Sequence, residues 1–208
     1  KRNNIMYNVD QKAISKLARE DVDFNTCTMI VALVSIRTPW KNIVKNIEAV
    51  KKFGAKAKPL NNKSKNKGYK YIRTHAKQLH ETIFNNYMTI EEKLVALTDI
   101  PNIGYAKAGF ILQLCLGKVG CIDCHNASKH GVDLLKLTTG KNASLALKLK
   151  KAKEYVEVCK AAGGSKKLWN DWCKDRYESS LENKSGEPFT SARQVSALHL
   201  EAVVTLSR

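Results

Sequence analysis

Hydrophobic positions recur along this chain at helical spacing, in blocks separated by short polar punctuation. Residues 10–20, DQKAISKLARE, read as a short amphipathic helix. Residues 25–37, NTCTMIVALVSIR, form a nearly continuous apolar run. That suits a buried helix, although its Thr and Val content also allows a strand. The next block, TPWKNIVKNIEAVKKFG, reads as a helix with Thr38 as N-cap, Pro39 in its first turn and Gly54 past its end. Ile43, Val44 and Ile47 belong to its core face, and Trp40 lies too near the turn to assign. Residues 56–73, KAKPLNNKSKNKGYKYIR, read as a loop from their Pro, Gly, Asn and Ser content.

Thr89-Ile90-Glu91-Glu92 carries a capping-box signature and opens a helix through Leu94, Val95 and Leu97. A tight turn, Ile100-Pro101-Asn102-Ile103-Gly104, leads into an apolar helix with Ala106, Phe110, Ile111, Leu114 and Cys115 at helical spacing. Gly117 and Gly120 punctuate the chain after it. A short helix is expected over 126–132. A strongly basic one is expected from Asn142 as cap to about Ala162, ended by Gly163-Gly164. Trp169 and Trp172 lie three apart on one helical face, which favours packing over stacking on a ligand. Residues 183–188 read as a loop and 189–207 as a last amphipathic helix. There is no β-alternating series, Rossmann glycine pattern, P-loop or internal repeat, so the expected fold class is all-α.

Charge changes this picture. Thirty-six Lys and Arg against 19 Asp and Glu give a net charge of +17 in 208 residues. A polyanion, most simply nucleic acid, is the expected partner, although a Lys-rich surface can also arise from genome composition. Between Glu48 and Glu81 there is no acid, and ten Lys or Arg occur there. Within that stretch Tyr69 and Tyr71 interleave with Lys70 and Arg73, a mix suited to phosphate contact plus stacking, or simply to a solvated loop. The length fits one domain or two small lobes. No run of 18 apolar residues suggests a membrane span. The first ten residues lack the apolar core of a signal, so an intracellular location is expected. The chain does not open with Met, so a missing or altered native N-terminus is expected. Six cysteines, in apolar or helical contexts, read as reduced intracellular thiols rather than a secreted disulfide framework.

The candidate chemistry sits at 97–126, LTDIPNIGYAKAGFILQLCLGKVGCIDCHN. A turn at a helix start offers free backbone N–H groups to a phosphate. Asn102 is a residue type that tolerates a left-handed conformation there. Asp123 is expected to cap a helix starting near Cys124, where free N–H groups and the helix dipole favour its charged form. Cys121-Ile122-Asp123-Cys124-His125 also fits the c-type haem pattern, but that needs an export signal that is not visible. A zinc site would need ligands more closely spaced than the scattered Cys and His allow.

This stretch resembles the hairpin and catalytic-aspartate segment of the helix-hairpin-helix DNA glycosylase superfamily, which includes endonuclease III, MutY and the 8-oxoguanine glycosylases. The family pattern is roughly L-P-G-V-G-x-K-x-A, an apolar helix, then V-D-x-H; here it is I-P-N-I-G-Y-A-K-A and I-D-C-H. Leu33 to Thr38 similarly stands where the family has L-S-x-Q-T, with Arg37 in place of the common Gln. The resemblance covers roughly residues 25–135. It implies a two-lobed helical fold with a DNA cleft between a hairpin lobe, about 39–135, and a second lobe from about 1–38 and 136–208. It implies a DNA N-glycosylase acting on a damaged or modified base in double-stranded DNA, as a monomer, with Asp123 as catalytic carboxylate. DNA contacts are implied at Arg37, Asn102, Ile103, Gly104, Tyr105, Lys107 and His125, beside those expected at Tyr69, Lys70 and Arg73. No cofactor is required. A monovalent cation can sit on hairpin carbonyls, and the four closely spaced cysteines of an iron–sulfur cluster are absent. Bifunctional relatives carry a nucleophilic Lys where this chain has Ala106. Lys107, one residue later, either takes that role, binds phosphate, or belongs to an enzyme that uses water alone. Two alternatives stand beside this reading: a DNA base-modifying enzyme on the same scaffold, such as the amine-transferring proteins of thymine hypermodification, and a non-catalytic DNA-binding module.

Overall fold

Helix α2 (Val22–Val34) has almost no polar face, and the fold is arranged accordingly: every residue from Phe24 to Val34 is buried. Thr26 and Thr28 donate their hydroxyls to the carbonyls of Val22 and Phe24 one turn back, so neither is left without a partner inside this buried helix. In the computed structural model, residues 2–39, 42–140, 142–182 and 201–207 are described. Trp40 and the loop expected at 183–188 lie outside them, as does 189–200, most of the expected last helix; residues 201–207 are helical. Among the described residues the structure is all-helical, with no strand.

The second buried helix is α7 (Tyr105–Leu116), in which Tyr105 and Ala108 to Cys115 are buried. It packs directly on α2, and α1 (Arg2–Glu20) lies across both. Ser15 of α1 donates to the Cys115 carbonyl at 2.6 Å. On the other side α2 is covered by α3 (Ile43–Phe53), α4 (Lys63–Thr74) and α5 (Ala76–Phe84). Helix α6 (Ile90–Leu97) precedes α7 and packs on α9 (Leu145–Ala161). Helix α10 (Gly164–Glu182) contacts α1, α9 and the short α8 (Cys124–Lys129). The buried apolar residues of all these elements form one continuous cluster. Each buried Leu or Ile in it contributes roughly 1.5–3 kcal/mol of transfer free energy.

Several boundaries differ from expectation, each for a local reason. The first helix begins at Arg2, well before residue 10. Thr38 is not a helix cap: its hydroxyl donates to the Val34 carbonyl at 2.7 Å, closing off α2, and α3 starts only after Asn42. Pro39 accordingly lies in the turn before α3, its carbonyl accepting from the Asn42 N–H. Residues 56–73 are not a loop. Asn62 caps α4 through Ser64 and Lys65 N–H, and a single-turn 3-10 helix, Lys58–Leu60, precedes it. The Asn and Pro that suggested irregular backbone are the punctuation of a helix start, and Gly68 lets α4 lie close to Leu33 and the Pro101 carbonyl. Ser144 rather than Asn142 caps α9. The short helix expected over 126–132 starts two residues earlier, at Cys124. The capping box of α6 is present in full, with Thr89 and Glu92 bonded reciprocally.

Candidate functional site

The turn between α6 and α7 is held by its own backbone. Ile103 N–H donates to the Ile100 carbonyl at 3.0 Å, and Asn102 takes a left-handed φ of 73°. The first bonds of α7 run from Lys107 and Ala108 N–H to the Gly104 carbonyl. The N–H groups of Tyr105 and Ala106 therefore precede the helix's own ladder, as they do at any helix start. Gly104 and Asn102 are exposed. Ile103 and Tyr105 are buried, so any contact they make with a ligand is through backbone, and the Tyr105 hydroxyl donates inward to the Lys148 carbonyl at 2.7 Å. Burial pushes the Tyr105 phenol above its ordinary range. A cleft of about 400 Å³ runs from this turn to Thr138–Gly140 and Lys148. One acid, Asp99, also lines it, 3.8 Å from the Lys148 ammonium.

Asp123 is built differently. It is the N-cap of α8: Oδ1 accepts from the His125 and Asn126 N–H groups, each at 3.1 Å, and Oδ2 accepts from Trp172 Nε1 at 3.2 Å. The loop leading to it is clamped by buried polar side chains from distant positions. The Tyr155 hydroxyl donates to the Gly120 carbonyl at 2.6 Å and accepts from Ile122 N–H at 2.9 Å. Gln113 accepts from Cys121 N–H at 3.3 Å while donating to the Ser165 carbonyl at 2.8 Å. Asn126 donates to the Cys121 carbonyl at 2.7 Å. Burial raises the Tyr155 phenol far above its ordinary range and pushes the Cys121 thiol up to about 12, so both stay neutral behind the loop.

Asp123 lines a cavity of about 450 Å³. Phe110, Trp169 and Trp172 form aromatic walls, with Phe110 and Trp169 stacked at 6.1 Å and Trp169 and Trp172 tilted to one another at 6.3 Å. Lys107 and Arg37 line the same cavity, as do Ser35, Gln113, Cys121, Cys124, His125 and Asn126. The Lys107 ammonium donates to Ser35 Oγ at 3.0 Å and lies 5.1 Å from the centre of the Phe110 ring. The arrangement places one carboxylate, two cations and flat apolar surfaces around a space of ligand size.

Of the residues singled out from sequence, Asp123, Lys107, Arg37 and His125 meet around this cavity, while Asn102, Ile103, Gly104 and Tyr105 line the separate hairpin cleft. Tyr69, Lys70 and Arg73 line neither. The two tyrosines of α4 pack partly against the core, Tyr71 stacking on His75 at 4.1 Å, and Lys70 and Arg73 face solvent. Trp169 and Trp172 do pack, as their spacing suggests, and they also line the cavity. Gln113, Tyr155 and Asn126 carry no sequence signal of their own. Cys124 is the one exposed thiol of the six, and no cluster of His, Cys, Asp or Glu suited to a metal occurs among the described residues. No helix among them is long and apolar enough to cross a membrane. Family models, characterised proteins and solved structures were all compared with this chain, and none matches it.

Proposed function

We propose that this chain is a DNA glycosylase-like enzyme of the helix-hairpin-helix type. It draws a damaged or modified base out of double-stranded DNA and breaks the bond between that base and its sugar. The observation that carries the reading is Asp123 in the wall of an aromatic cavity, some twenty residues after a turn suited to hold a phosphate. The extruded base lies against Trp169, Trp172 and Phe110, flat surfaces that favour stacking over any one hydrogen-bond pattern. As the C1′–N bond breaks, its electron pair leaves with the base and positive charge builds on the sugar. The Asp123 carboxylate stabilises that charge and orients the attacking water. The water oxygen adds to C1′, and its proton passes to the carboxylate or to the departing base. Trp172 and the two N–H groups of α8 fix the carboxylate for this task.

The hairpin cleft holds the DNA backbone through the N–H groups of the α7 start, with a monovalent cation on the turn carbonyls. The protein acts as a monomer. Lys107 donates to Ser35 Oγ and contributes charge at the cavity; in this reading it binds phosphate and is not a Schiff-base nucleophile.

A panel of duplexes, each with one lesion or modified base, tests this directly. Base release is expected on at least one, with strand scission requiring alkali and no borohydride trapping. Duplex affinity should fall with salt at a log–log slope on the order of −4 to −8. Gain of an adduct without base loss would instead mark a base-modifying enzyme on this scaffold, and binding with neither would leave a DNA-binding module.

A further inference from the structure

Three cations converge on one four-residue stretch, Val34 to Arg37, where α2 ends. The Lys65 ammonium, arriving from α4, donates to the Ile36 carbonyl at 2.5 Å and the Val34 carbonyl at 3.3 Å. Lys107, arriving from α7, donates to Ser35 Oγ at 3.0 Å. Arg37 itself is exposed and sits at a left-handed φ of 52°, a backbone conformation that a long side chain rarely adopts. Among the described residues none of the three is ion-paired to a carboxylate. The carbonyls at the end of α2 offset part of the Lys65 charge through the helix dipole. They do not neutralise the group. Burial and then the positive charges of Lys107 and Arg37 hold Lys65 below the ordinary lysine range. Like charges gathered at an unusual backbone conformation, with no carboxylate ion-paired to them among the described residues, suit an anion supplied from outside.

The position narrows the choice. Lys107 and Arg37 line the aromatic cavity, and Arg37 belongs to its exposed lining, with Pro39, Cys124 and His125. None of the three cations lines the hairpin cleft, so this is a different place from the phosphate seat there. We propose that Lys65, Lys107 and Arg37 form a phosphate subsite at the mouth of the cavity, holding a phosphate of the nucleotide whose base lies inside. This rests on the DNA reading above. Lys107 and Arg37 touch the phosphate oxygens; Lys65 ties the α4 start to the α2 end and adds its charge from behind.

The test uses a duplex with one tetrahydrofuran abasic site, whose 5′ and 3′ phosphates are replaced in turn by uncharged methylphosphonate. One replacement should weaken wild-type binding about tenfold, as expected for loss of a charge-assisted contact. The same replacement should change Lys65→Met and Arg37→Asn less than twofold. Asn accepts the left-handed backbone, so Arg37→Asn keeps the test readable should Lys65→Met melt early. A second arm compares a nucleoside with its 5′-monophosphate; tighter binding of the phosphate form, lost in both variants, assigns the subsite to a free nucleotide. Equal effects of every methylphosphonate on wild type and variants, with no preference for the monophosphate, would overturn the proposal. The lesion panel on the same preparation separates the two readings. Base release without phosphate coupling removes only the subsite, and coupling without base release removes only the glycosylase.

Discussion

The hairpin turn and the Asp123 loop are neighbours in sequence, joined by α7, yet they are held by opposite means. The turn at Ile100–Gly104 closes through backbone bonds over three residues and presents its N–H groups at an open surface. The loop at Gly120–Asp123 makes its key bonds to side chains from Gln113, Asn126, Tyr155 and Trp172, up to 49 positions away. A local turn survives substitution nearby and suits a binding task that tolerates small displacements. A loop fixed by distant buried groups suits a task in which one carboxylate must stay within a fraction of an ångström. Substitutions at the turn should therefore act on affinity, and substitutions around the loop on rate.

The largest expected effect is at Asp123 itself. Asp123→Asn keeps an oxygen to accept from the α8 N–H groups, while its amide nitrogen faces Trp172 and forfeits that bond. Folding should persist with a modestly lower melting temperature. In the proposed reaction, loss of the charge facing the developing sugar cation should cost on the order of 3–4 kcal/mol, about a hundredfold to a thousandfold in single-turnover base release. Duplex affinity should be unchanged or higher, because one repulsion with phosphate is gone. A variant that melts normally and releases base within about threefold of wild type would reduce Asp123 to a helix cap.

Two glycines of α7 and its cap sharpen the contrast. A methyl group added at Gly109 would lie 2.5 Å from the Gly120 carbonyl and 2.6 Å from the Tyr155 hydroxyl. Helix propensity favours Gly109→Ala by about 1 kcal/mol. The overpacking cost, typically about 1–3 kcal/mol, should exceed it because the atoms met belong to the loop backbone and its clamp. A lower melting temperature should accompany a fall of about tenfold to a hundredfold in base release, with duplex affinity kept. At Gly104 the added methyl meets nothing within 4 Å. Gly104→Ala should melt within about 0.5 kcal/mol of wild type and lose duplex affinity severalfold, because the methyl adds bulk on the exposed turn where the proposed phosphate would lie. Equal effects of the two substitutions on affinity and rate would erase the distinction between the regions.

The same contrast explains what was legible in the sequence. The capping box, the left-handed Asn102 and the Asp123 cap all depend on residues no more than three apart, and the local sequence carries them. The all-helical character follows from periodicity for the same reason. The cavity is assembled from four separated segments, at 35–39, 107–113, 121–126 and 168–172, so only those members that sat in a recognisable local pattern were visible. Trp169 and Trp172 looked like packing and are packing; that they also face a cavity depends on where α10 crosses α7. Residues 56–73 misled because their Pro, Gly, Asn and Ser content speaks of irregular backbone, whereas Asn62 caps α4 and Gly68 and Ile72 turn one of its faces into the core.

The smallest expected effect lies in the local cap of α6. Glu92 accepts from Thr89 N–H at 2.7 Å and from the Thr89 hydroxyl at 2.9 Å. Those two bonds hold its carboxyl below the ordinary 4.5. A carboxyl depressed by folding adds stability that is present above its unfolded value and is lost as pH falls through the folded one. Wild type should therefore melt slightly above Glu92→Gln at pH 7, because the glutamine accepts the same bonds without charge at the positive end of the helix. The gap should close as pH falls below 4.5. The bonds that clamp the Gly120–Ile122 backbone come from Tyr155, Gln113 and Asn126, none of which gains or loses a proton in that range. Thermal melts of the two proteins from pH 7 to pH 3 make the comparison. A gap that stays constant with pH would show that the Glu92 charge adds nothing, and that the cap of the first hairpin helix is held by Thr89 alone.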